Sequence, residues 1–338
     1  MNSDESKIDQ DEIKRTEIST ALVKHVYTAD PSVHVFDGRI FIYPSHDIEG
    51  GIAFNDNGDH FAMHDYHVFS MDNPDAPVVD HGVVLDVKDV PWAQRQMWAP
   101  DIACKKGKYY FYFPARAYDG LFKIGVAVGD SPQGPFVAEP EPIAGSYSID
   151  PAAFSDDDGT EYLYWGGLWG GQLQHYPKND YDQSSELRAD HQVALGPRVA
   201  QLSDDMLGLK ETVREIHIVD DQGRQLLAGD SSRRFFEGPW MHKHQGTYYL
   251  SYSTGDTHLI CYAIADNPYG PFVYQGVILT PVLGWTTHHS ICQIEDQWYL
   301  FYHDASLSKG VTHLRSMKMT PLTHLDNGSI KTIDPYVP

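Results

Sequence analysis

The stretch KGKYYFYFP at residues 106–114 carries the pattern that decides the fold: a short polar turn followed by a strand of alternating aromatic residues. The pattern recurs in four other places: DGRIFIYPS (37–45), DGTEYLYWG (158–166), QGTYYLSYS (245–253) and EDQWYLFYH (295–303). Alternation with a period of two indicates a β-strand that packs one face against another sheet. Five such strands, each opened by a turn, predict five similar sheets.

A second element follows three of these strands, where another strand ends in an Asp-x-Pro turn. The three copies are FSMDNPDAPV (69–78), AVGDSPQGPF (127–136) and AIADNPYGPF (263–272). Regular content at irregular spacing is typical of a β-propeller, whose blades repeat while insertions fall in the loops. We therefore predict an all-β, five-bladed β-propeller. A β-sandwich with a second domain would explain the strands but not the repeated strand–turn pairs.

The prediction places a single propeller domain at residues 21–338, after a polar, poorly ordered lead-in at residues 1–20. Convincing helix patterns are almost absent. The stretch 185–215 is expected to be a long insertion with one helical turn.

Composition and charge exclude several function classes. The 338 residues carry 25 Lys and Arg against 47 Asp and Glu, a formal net charge of −22, which repels nucleic acid and anionic membranes. No signal peptide or membrane-spanning stretch is visible, and Cys104, Cys261 and Cys292 are expected to be buried free thiols. We therefore expect a cytoplasmic protein whose partner is a small molecule, with homo-oligomerisation left open.

Candidate site residues precede the aromatic strands. The innermost strands of a propeller run in the same direction, so residues at their starts converge at one mouth of the central channel. A candidate lies 8 or 9 positions ahead of each turn: Asp30, Trp98, Asp150, Glu237 and His288. Neighbouring carboxyl groups raise one another's pKa, so one can serve as an acid and another as a base, as in glycoside hydrolysis. Asp-Pro is also a common turn pair, but three carboxylates at equal offsets favour the catalytic interpretation.

The segments ADPSVHVF, MWAPDI, SIDPAAF, FFEGPW, YYLSYSTG and THHSI, in this order, resemble glycoside hydrolase family 43 over nearly the whole chain. The resemblance implies an inverting, exo-acting β-D-xylosidase or α-L-arabinofuranosidase acting on plant xylo- and arabino-oligosaccharides. It also implies that Asp30 is the general base and Glu237 the general acid, and that Asp150 tunes the pKa of the acid and orients the substrate. His288 matches the histidine beside a central divalent cation, usually calcium.

Three further residues are weaker candidates for binding the substrate. Trp98 could stack on a sugar ring or fill the core of a blade. His289 could neighbour His288 or point the other way, because side chains alternate along a strand. Arg315 could reach a sugar or a carboxylate, although a surface ion pair is the more common role.

Another metal site and two other activities are less favoured by the sequence. His60, His64 and His67 have a spacing suited to a helical metal site but fall in a strand-like stretch, so metal binding by these three is disfavoured. A non-catalytic sugar-binding propeller and a retaining β-fructofuranosidase are the rival functions. The sequence leaves open whether xylose or arabinose is released, and what closes the outer wall of the pocket.

Overall fold

The computed structural model of the chain describes residues 16–285 and 288–337. These residues form an all-β structure with short strands. In chain order the strands are β1 (Thr16–Glu17), β2 (Tyr27–Phe36), β3 (Arg39–Asp47), β4 (Asp65–Met71), β5 (Val79–Asp86), β6 (Ala93–Arg95), β7 (Asp101–Lys105), β8 (Lys108–Ala117), β9 (Phe122–Gly129), β10 (Val137–Ala138), β11 (Ala152–Ser155), β12 (Glu161–Trp165), β13 (Arg198–Gln201), β14 (Arg214–Glu215), β15 (Ile218–Val219), β16 (Glu237–His244), β17 (Thr247–Ser253), β18 (Ile260–Ala265), β19 (Phe272–Leu279), β20 (His289–Ile294), β21 (Gln297–Asp304), β22 (Ser316–Leu322) and β23 (Tyr336–Val337). Short 3-10 helices lie at Val87–Asp89, Trp169–Gly171 and Leu173–His175.

The strands form five antiparallel blades around a central axis. The blades have the orders β2-β3-β4-β5, β7-β8-β9-β10, β11-β12-β13-β14, β16-β17-β18-β19 and β20-β21-β22. Strand β6 also pairs with β8, and β15 adds to the fourth blade alongside β19. The innermost strands β2, β7, β11, β16 and β20 contact one another in sequence, and β20 returns to β2 to close the ring. The predicted five-bladed propeller is confirmed, with each aromatic strand second from the axis.

Tight turns explain why the offsets along the chain are nearly equal. Two-residue turns join the first and second strands in four of the blades, as at Lys106–Gly107 and Gln245–Gly246. Both residues of these two turns have positive φ, between 49° and 82°. Such turns match the twist of the flanking strands, and glycine adopts this conformation without strain. The same register is therefore set from blade to blade.

The alternating aromatic residues pack on both faces of the strand, whereas one packed face was expected. In β8, Phe111 packs edge-on against Tyr66 of the first blade, with ring centroids 5.1 Å apart. The next residue, Tyr112, points the other way and joins the buried cluster that contains Trp165 of the third blade. Each face of the second blade thus packs against a neighbouring blade. The prediction of one packed face is wrong because a blade lies between two others.

Two local expectations also change. The helical turn expected within residues 185–215 lies earlier, in the 3-10 helices at Trp169–Gly171 and Leu173–His175, whereas 185–215 contains β13 and β14. All three cysteines are free, but only Cys261 is buried, and Cys104 and Cys292 are partly exposed. Among the described residues, no helix is long and apolar enough to span a membrane.

The N-terminal segment closes the fifth blade along its outer edge. The backbone N–H of Leu22 donates to the Met317 carbonyl at 2.9 Å, and the Ser19 hydroxyl donates to the Met319 carbonyl at 2.7 Å. Strand β1 pairs with β23, so the two ends of the described chain meet. Residues 16–20, expected to be part of the lead-in, therefore belong to this closure. Residues 1–15 lie outside the described residues.

We predict that Lys318→Met destabilises the ring closure. Lys318 is buried, and its Nζ contacts Asp304 Oδ2 at 2.5 Å and Glu17 Oε2 at 2.7 Å. Removing the cation leaves the Asp304 carboxylate buried without its partner, which costs about 3–5 kcal/mol. Thermal unfolding followed by circular dichroism should show a Tm several degrees below that of the parent. The exposed Lys331→Met is the matched control, and an equal Tm for both variants would contradict this role.

Candidate active site

The mouth of the propeller axis holds the predicted carboxylates in one pocket. Asp30, Asp150 and Glu237 all line it, together with Trp98, His288 and Arg315. Asp30 and Glu237 lie in the innermost strands β2 and β16. Trp98, Asp150 and His288 lie one to three residues before the innermost strands of their blades, and Arg315 directly precedes β22. The structure therefore brings together six of the seven residues singled out from the sequence.

Local backbone irregularities aim these carboxylates at the axis. The β2–β3 register shifts between Ala29 and Ser32, and the β16–β17 register shifts between Glu237 and Trp240. Asp30 and Asp150 have φ values of 50° and 58°, an unfavourable left-handed conformation for residues other than glycine. Bulges of this kind often lie beside active sites, because they redirect a side chain out of the pleat.

Arg315 is the cation of the pocket and is held by two carboxylates. Its guanidinium contacts Asp30 through Nη1 at 3.1 Å and binds Asp47 through Nε at 2.8 Å and Nη2 at 2.9 Å. Arg315 is only 2% exposed, and its Cζ lies 4.9 Å from the centroid of the Phe61 ring. The surface ion pair expected for Arg315 is thus a buried one, because the residue directly precedes β22 at the closure with the first blade.

Asp30 is surrounded by groups that favour its ionised form. The Ser45 hydroxyl donates to Asp30 Oδ2 at 2.7 Å, and the Asp30 backbone N–H donates to His303 Nδ1 at 2.9 Å. Burial alone would raise the pKa of this carboxyl, but the charge of Arg315, together with the Ser45 hydrogen bond, outweighs burial and lowers it. Asp30 is therefore ionised at neutral pH.

The pKa values of the other two carboxyls, Glu237 and Asp150, are raised. Burial and the negative charge of Asp30 raise the pKa of Glu237 to about 8. Burial and the charges of Glu237 and Asp30 raise the pKa of Asp150, although the Gly238 N–H donates to its Oδ2 at 3.0 Å. One pocket thus contains a carboxylate and a protonated carboxyl at neutral pH, the pair that acid–base catalysis needs.

His288 has the surroundings of a residue that could hold a cation. Neither of its ring nitrogens has a hydrogen-bond partner among the described residues, and Nε2 lies 3.9 Å from Asp150 Oδ2. Burial lowers the pKa of His288, so the neutral imidazole offers a lone pair. A Cβ at Gly238, where φ is +62°, would lie 2.8 Å from the His288 ring, so glycine is needed there. A buried, unpaired imidazole beside acidic groups fits a divalent cation.

Asp101 ties the first three blades together next to the axis. Its Oδ1 accepts from His34 Nε2 at 2.6 Å and from the Ser32 hydroxyl, and its Oδ2 accepts from the Ala153 N–H at 2.6 Å. Ser32 and Ala153 lie two and three residues after Asp30 and Asp150. The carboxylate of Asp101 therefore helps to fix the spacing between those two strands.

Aromatic side chains build the outer wall of the pocket. Trp169 and Trp285 stack with ring centroids 5.7 Å apart and an interplanar angle of 19°. Both line the pocket together with Phe54, whose side chain is largely exposed. Trp98 also lines the pocket, and its indole N–H donates to the Phe61 carbonyl at 2.9 Å. Loops of the propeller itself thus supply the wall that the sequence left open.

The remaining candidates do not share one site. His289 is fully buried, is not among the pocket-lining residues, and shares a 2.6 Å hydrogen bond with the Ser251 hydroxyl. It faces away from His288, as alternation along an extended segment allows. His60 lines the pocket, whereas His64 and His67 contact Asp65 and Asp80 in the first blade. The three histidines do not form one cluster.

Sequence reasoning missed several side chains of the site, namely Ser45, Asp47, His303, Trp169 and Trp285. A signal for two of them was present. Ser45 and His303 are the last residues of the first and fifth aromatic repeats. Because the second strand of each blade runs antiparallel to the first, its end meets the start of the first strand at the same mouth. The tryptophans lie in loops, where no repeat marks them.

A five-bladed propeller with a carboxylate and a carboxylic acid facing one axial pocket defines a glycoside hydrolase. The sequence comparison agrees with this class: the model of glycosyl hydrolases family 43 matches residues 79–330. The chain belongs to this family.

Similar proteins cover almost the whole chain. A xylosidase/arabinosidase of Bacteroides ovatus is 58% identical over 93% of this chain and 97% of its own. A family 43 enzyme of Xanthomonas citri, solved with xylotriose, is 62% identical, with a TM-score of 0.93 over 97% of both chains. A β-xylosidase/α-arabinofuranosidase from a compost metagenome, solved with xylotriose in a calcium-free form, is 60% identical, with a TM-score of 0.93 over 96% of this chain and 99% of that one.

We predict that Asp30→Asn lowers the pKa of Glu237 from about 8 towards its ordinary value, because the charge of Asp30 helps to raise it. Glu237 would then lose its proton at a lower pH than in the parent. Infrared difference spectra of the protonated carboxyl band, recorded as a function of pH, measure the change. Asp156→Asn, in the turn between β11 and β12, is the control and should leave the pKa of Glu237 unchanged. An unchanged titration in Asp30→Asn would show that Asp30 does not act on Glu237.

Proposed function

We propose that the protein is an inverting, exo-acting β-D-xylosidase that removes xylose from xylo-oligosaccharides, with α-L-arabinofuranosidase activity as a second activity of the same pocket. The observation that carries the chemistry is the opposite pKa shift of Asp30 and Glu237 within one pocket. The names of the relatives support both sugars, and the complexes of two similar structures with xylotriose favour xylose.

The reaction divides between these two carboxyls. Glu237, protonated at neutral pH, donates its proton to the glycosidic oxygen as the bond to the anomeric carbon breaks. Asp30, ionised beside Arg315, accepts a proton from the water molecule that attacks the anomeric carbon from the opposite face. Each turnover removes the proton of Glu237 and adds a proton to Asp30. Before the next cycle, a proton must therefore pass from Asp30 to Glu237 through solvent. Attack from the opposite face inverts the anomeric configuration.

Asp150 has a supporting part in the proposal. Its carboxyl interacts with Glu237, and it accepts the N–H of Gly238, the residue directly after Glu237. Asp150 can therefore hold the backbone that carries the acid and tune the pKa of the acid. Its position at the pocket wall also lets it accept a hydrogen bond from a sugar hydroxyl.

The outer wall supports exo-action. Trp169 and Trp285 stack beside the carboxylates, and aromatic faces of this kind pack well against sugar rings. A pocket bounded by such a wall favours one terminal residue of the chain over an internal one. The axial pocket adjoins a second groove lined by Trp169, Trp285 and Arg116, which is open for the remainder of an oligosaccharide.

The proposal includes a divalent cation, the calcium implied by the resemblance to family 43, held by His288 with water completing its coordination. When bound, it would supply positive charge close to Asp30 and would help to keep that carboxylate ionised. His288 itself holds the position between Asp150 and the bulge at Gly238.

The role assignment predicts different responses to the leaving group. Glu237→Gln should lose about 10²–10⁴-fold in kcat on xylobiose but remain active on 2,4-dinitrophenyl β-D-xyloside, whose leaving group needs no protonation. Asp30→Asn should depress both substrates alike, because water activation is needed in each. Steady-state kinetics on the two substrates measure the difference.

Two results would contradict these roles. Equal losses on both substrates in Glu237→Gln would remove it as the acid, and a leaving-group dependence in Asp30→Asn would remove it as the base. Parallel assays with p-nitrophenyl β-D-xyloside and α-L-arabinofuranoside test the choice of sugar. Absence of activity on both would refute the proposed substrates.

The cation is tested by removing and restoring metal. Exhaustive chelation should lower kcat/KM, and added calcium, magnesium or manganese should restore it. His288→Ala should show no metal stimulation, whereas the exposed His191→Ala should respond like the parent. Full activity after chelation would contradict a functional cation at His288.

A further inference from the structure

A second group of potential metal ligands lies in the first blade. His46, Asp65 and His67 each offer a ligand atom within 4.8 Å of the others. His46 is near the end of β3, and Asp65 and His67 are the first and third residues of β4. The β3–β4 register pairs Ile40 with Met71 and Ile42 with Phe69, and the same register extended along both strands would bring His46 opposite Asp65.

The cluster is half-buried and already ordered by its own contacts. His46 Nδ1 lies 2.6 Å from Asp65 Oδ1, and the rings of His46 and His67 meet edge-on with centroids 4.7 Å apart. The side chains of His46, Asp65 and His67 are 17%, 9% and 13% exposed. A cation could therefore reach the cluster from solvent and still be partly shielded from it.

The carboxylate of Asp80 orients the imidazole of His67. Its Oδ1 lies 3.0 Å from His67 Nδ1, and because a carboxylate accepts, that nitrogen carries the proton. Nε2 of His67 is then the nitrogen with the free lone pair. The Gly82 N–H and His25 Nε2 fix Asp80 in turn, each at 2.7 Å. A carboxylate that holds the far nitrogen of a histidine is a recurring support of metal ligands in proteins.

We propose that His46, Asp65 and His67 form a second metal site, selective for a borderline transition metal such as Zn²⁺, Ni²⁺ or Co²⁺. Two imidazole nitrogens and one carboxylate oxygen suit these ions, whereas Ca²⁺ prefers six to eight oxygen ligands. Water or His64, whose Nε2 lies 3.4 Å from Asp65 Oδ2, completes the coordination. Binding at His46 Nδ1 moves the proton that this nitrogen shares with Asp65 to Nε2 of the same imidazole, which leaves the nitrogen and the carboxylate oxygen free for the metal.

The cluster lies outside the axial pocket but is adjacent in sequence to a residue that holds Arg315. Asp47 directly follows His46, and its carboxylate holds Arg315. Successive side chains of a strand point to opposite faces, so the cluster and the ion pair lie on the two faces of β3. A bound metal should therefore stabilise the end of this strand.

The test measures metal binding directly in the His288→Ala variant, which lacks the axial ligand. We expect isothermal titration of the chelated, dialysed protein to show one equivalent of bound Zn²⁺ or Ni²⁺, no displacement by calcium, and visible Co²⁺ bands typical of nitrogen and oxygen ligation. Adding His67→Gln or the near-isosteric Asp65→Asn to this background should weaken Zn²⁺ binding at least about tenfold. His191→Ala, added to the same background, is the matched control and should leave Zn²⁺ binding unchanged.

Two outcomes would overturn the proposal. One is that His288→Ala binds no stoichiometric Zn²⁺, Ni²⁺ or Co²⁺, which would leave His46 and Asp65 as a simple hydrogen-bonded pair. The other is that binding persists unchanged in both Asp65→Asn and His67→Gln. Circular dichroism and Tm of the metal-free variants show that each one folds, so a loss of binding reports on the ligands.

Discussion

The buried ion pair between Arg315 and the carboxylates of Asp30 and Asp47 is the interaction on which the site depends. It joins the residue directly before the last strand of the fifth blade to two strands of the first blade, where the ring closes. The same guanidinium lowers the pKa of Asp30 against the effect of burial. Ring closure and the charge of the proposed base thus rest on one side chain. A buried charge cluster of this kind is costly to break, because each partner left alone keeps its desolvation penalty.

The same ion pair makes the surroundings of Asp30 different from those of Glu237. Asp30 has a cation and hydrogen-bond donors, whereas Glu237 has mainly burial and a neighbouring negative charge, so identical chemical groups hold different protonation states. Asp101 keeps the strands after Asp30 and Asp150 at a fixed spacing. The site is therefore preorganised by rigid innermost strands, while the loops with Trp169 and Trp285 shape the side where an oligosaccharide would enter.

The sequence predicted the blades and the meeting of the carboxylates because both follow from local rules. Period-two aromatic strands define the sheets, and two-residue turns in four of the blades keep nearly equal offsets, so Asp30 and Glu237 fall in register. Asp150 has nearly the same offset because it lies two residues ahead of its strand, although a longer turn at 156–160 follows that strand. Contacts between distant segments obey no such rule. Arg315 and Asp47 lie 268 positions apart, so nothing local marks their pairing. Trp169 and Trp285 lie in loops, and the cluster of His46, Asp65 and His67 depends on a register between strands that spacing along one segment cannot supply.

The central claim is that Asp30 and Glu237 act on opposite faces of a β-xylosidic bond. Proton NMR of xylobiose hydrolysis, recorded within the first turnovers and before mutarotation, tests it most directly. We expect the xylose released from the non-reducing end to appear first as the α-anomer, inverted from the β-linkage. Initial release of β-xylose would show retention and would contradict the assignment of Asp30 as a base that activates water.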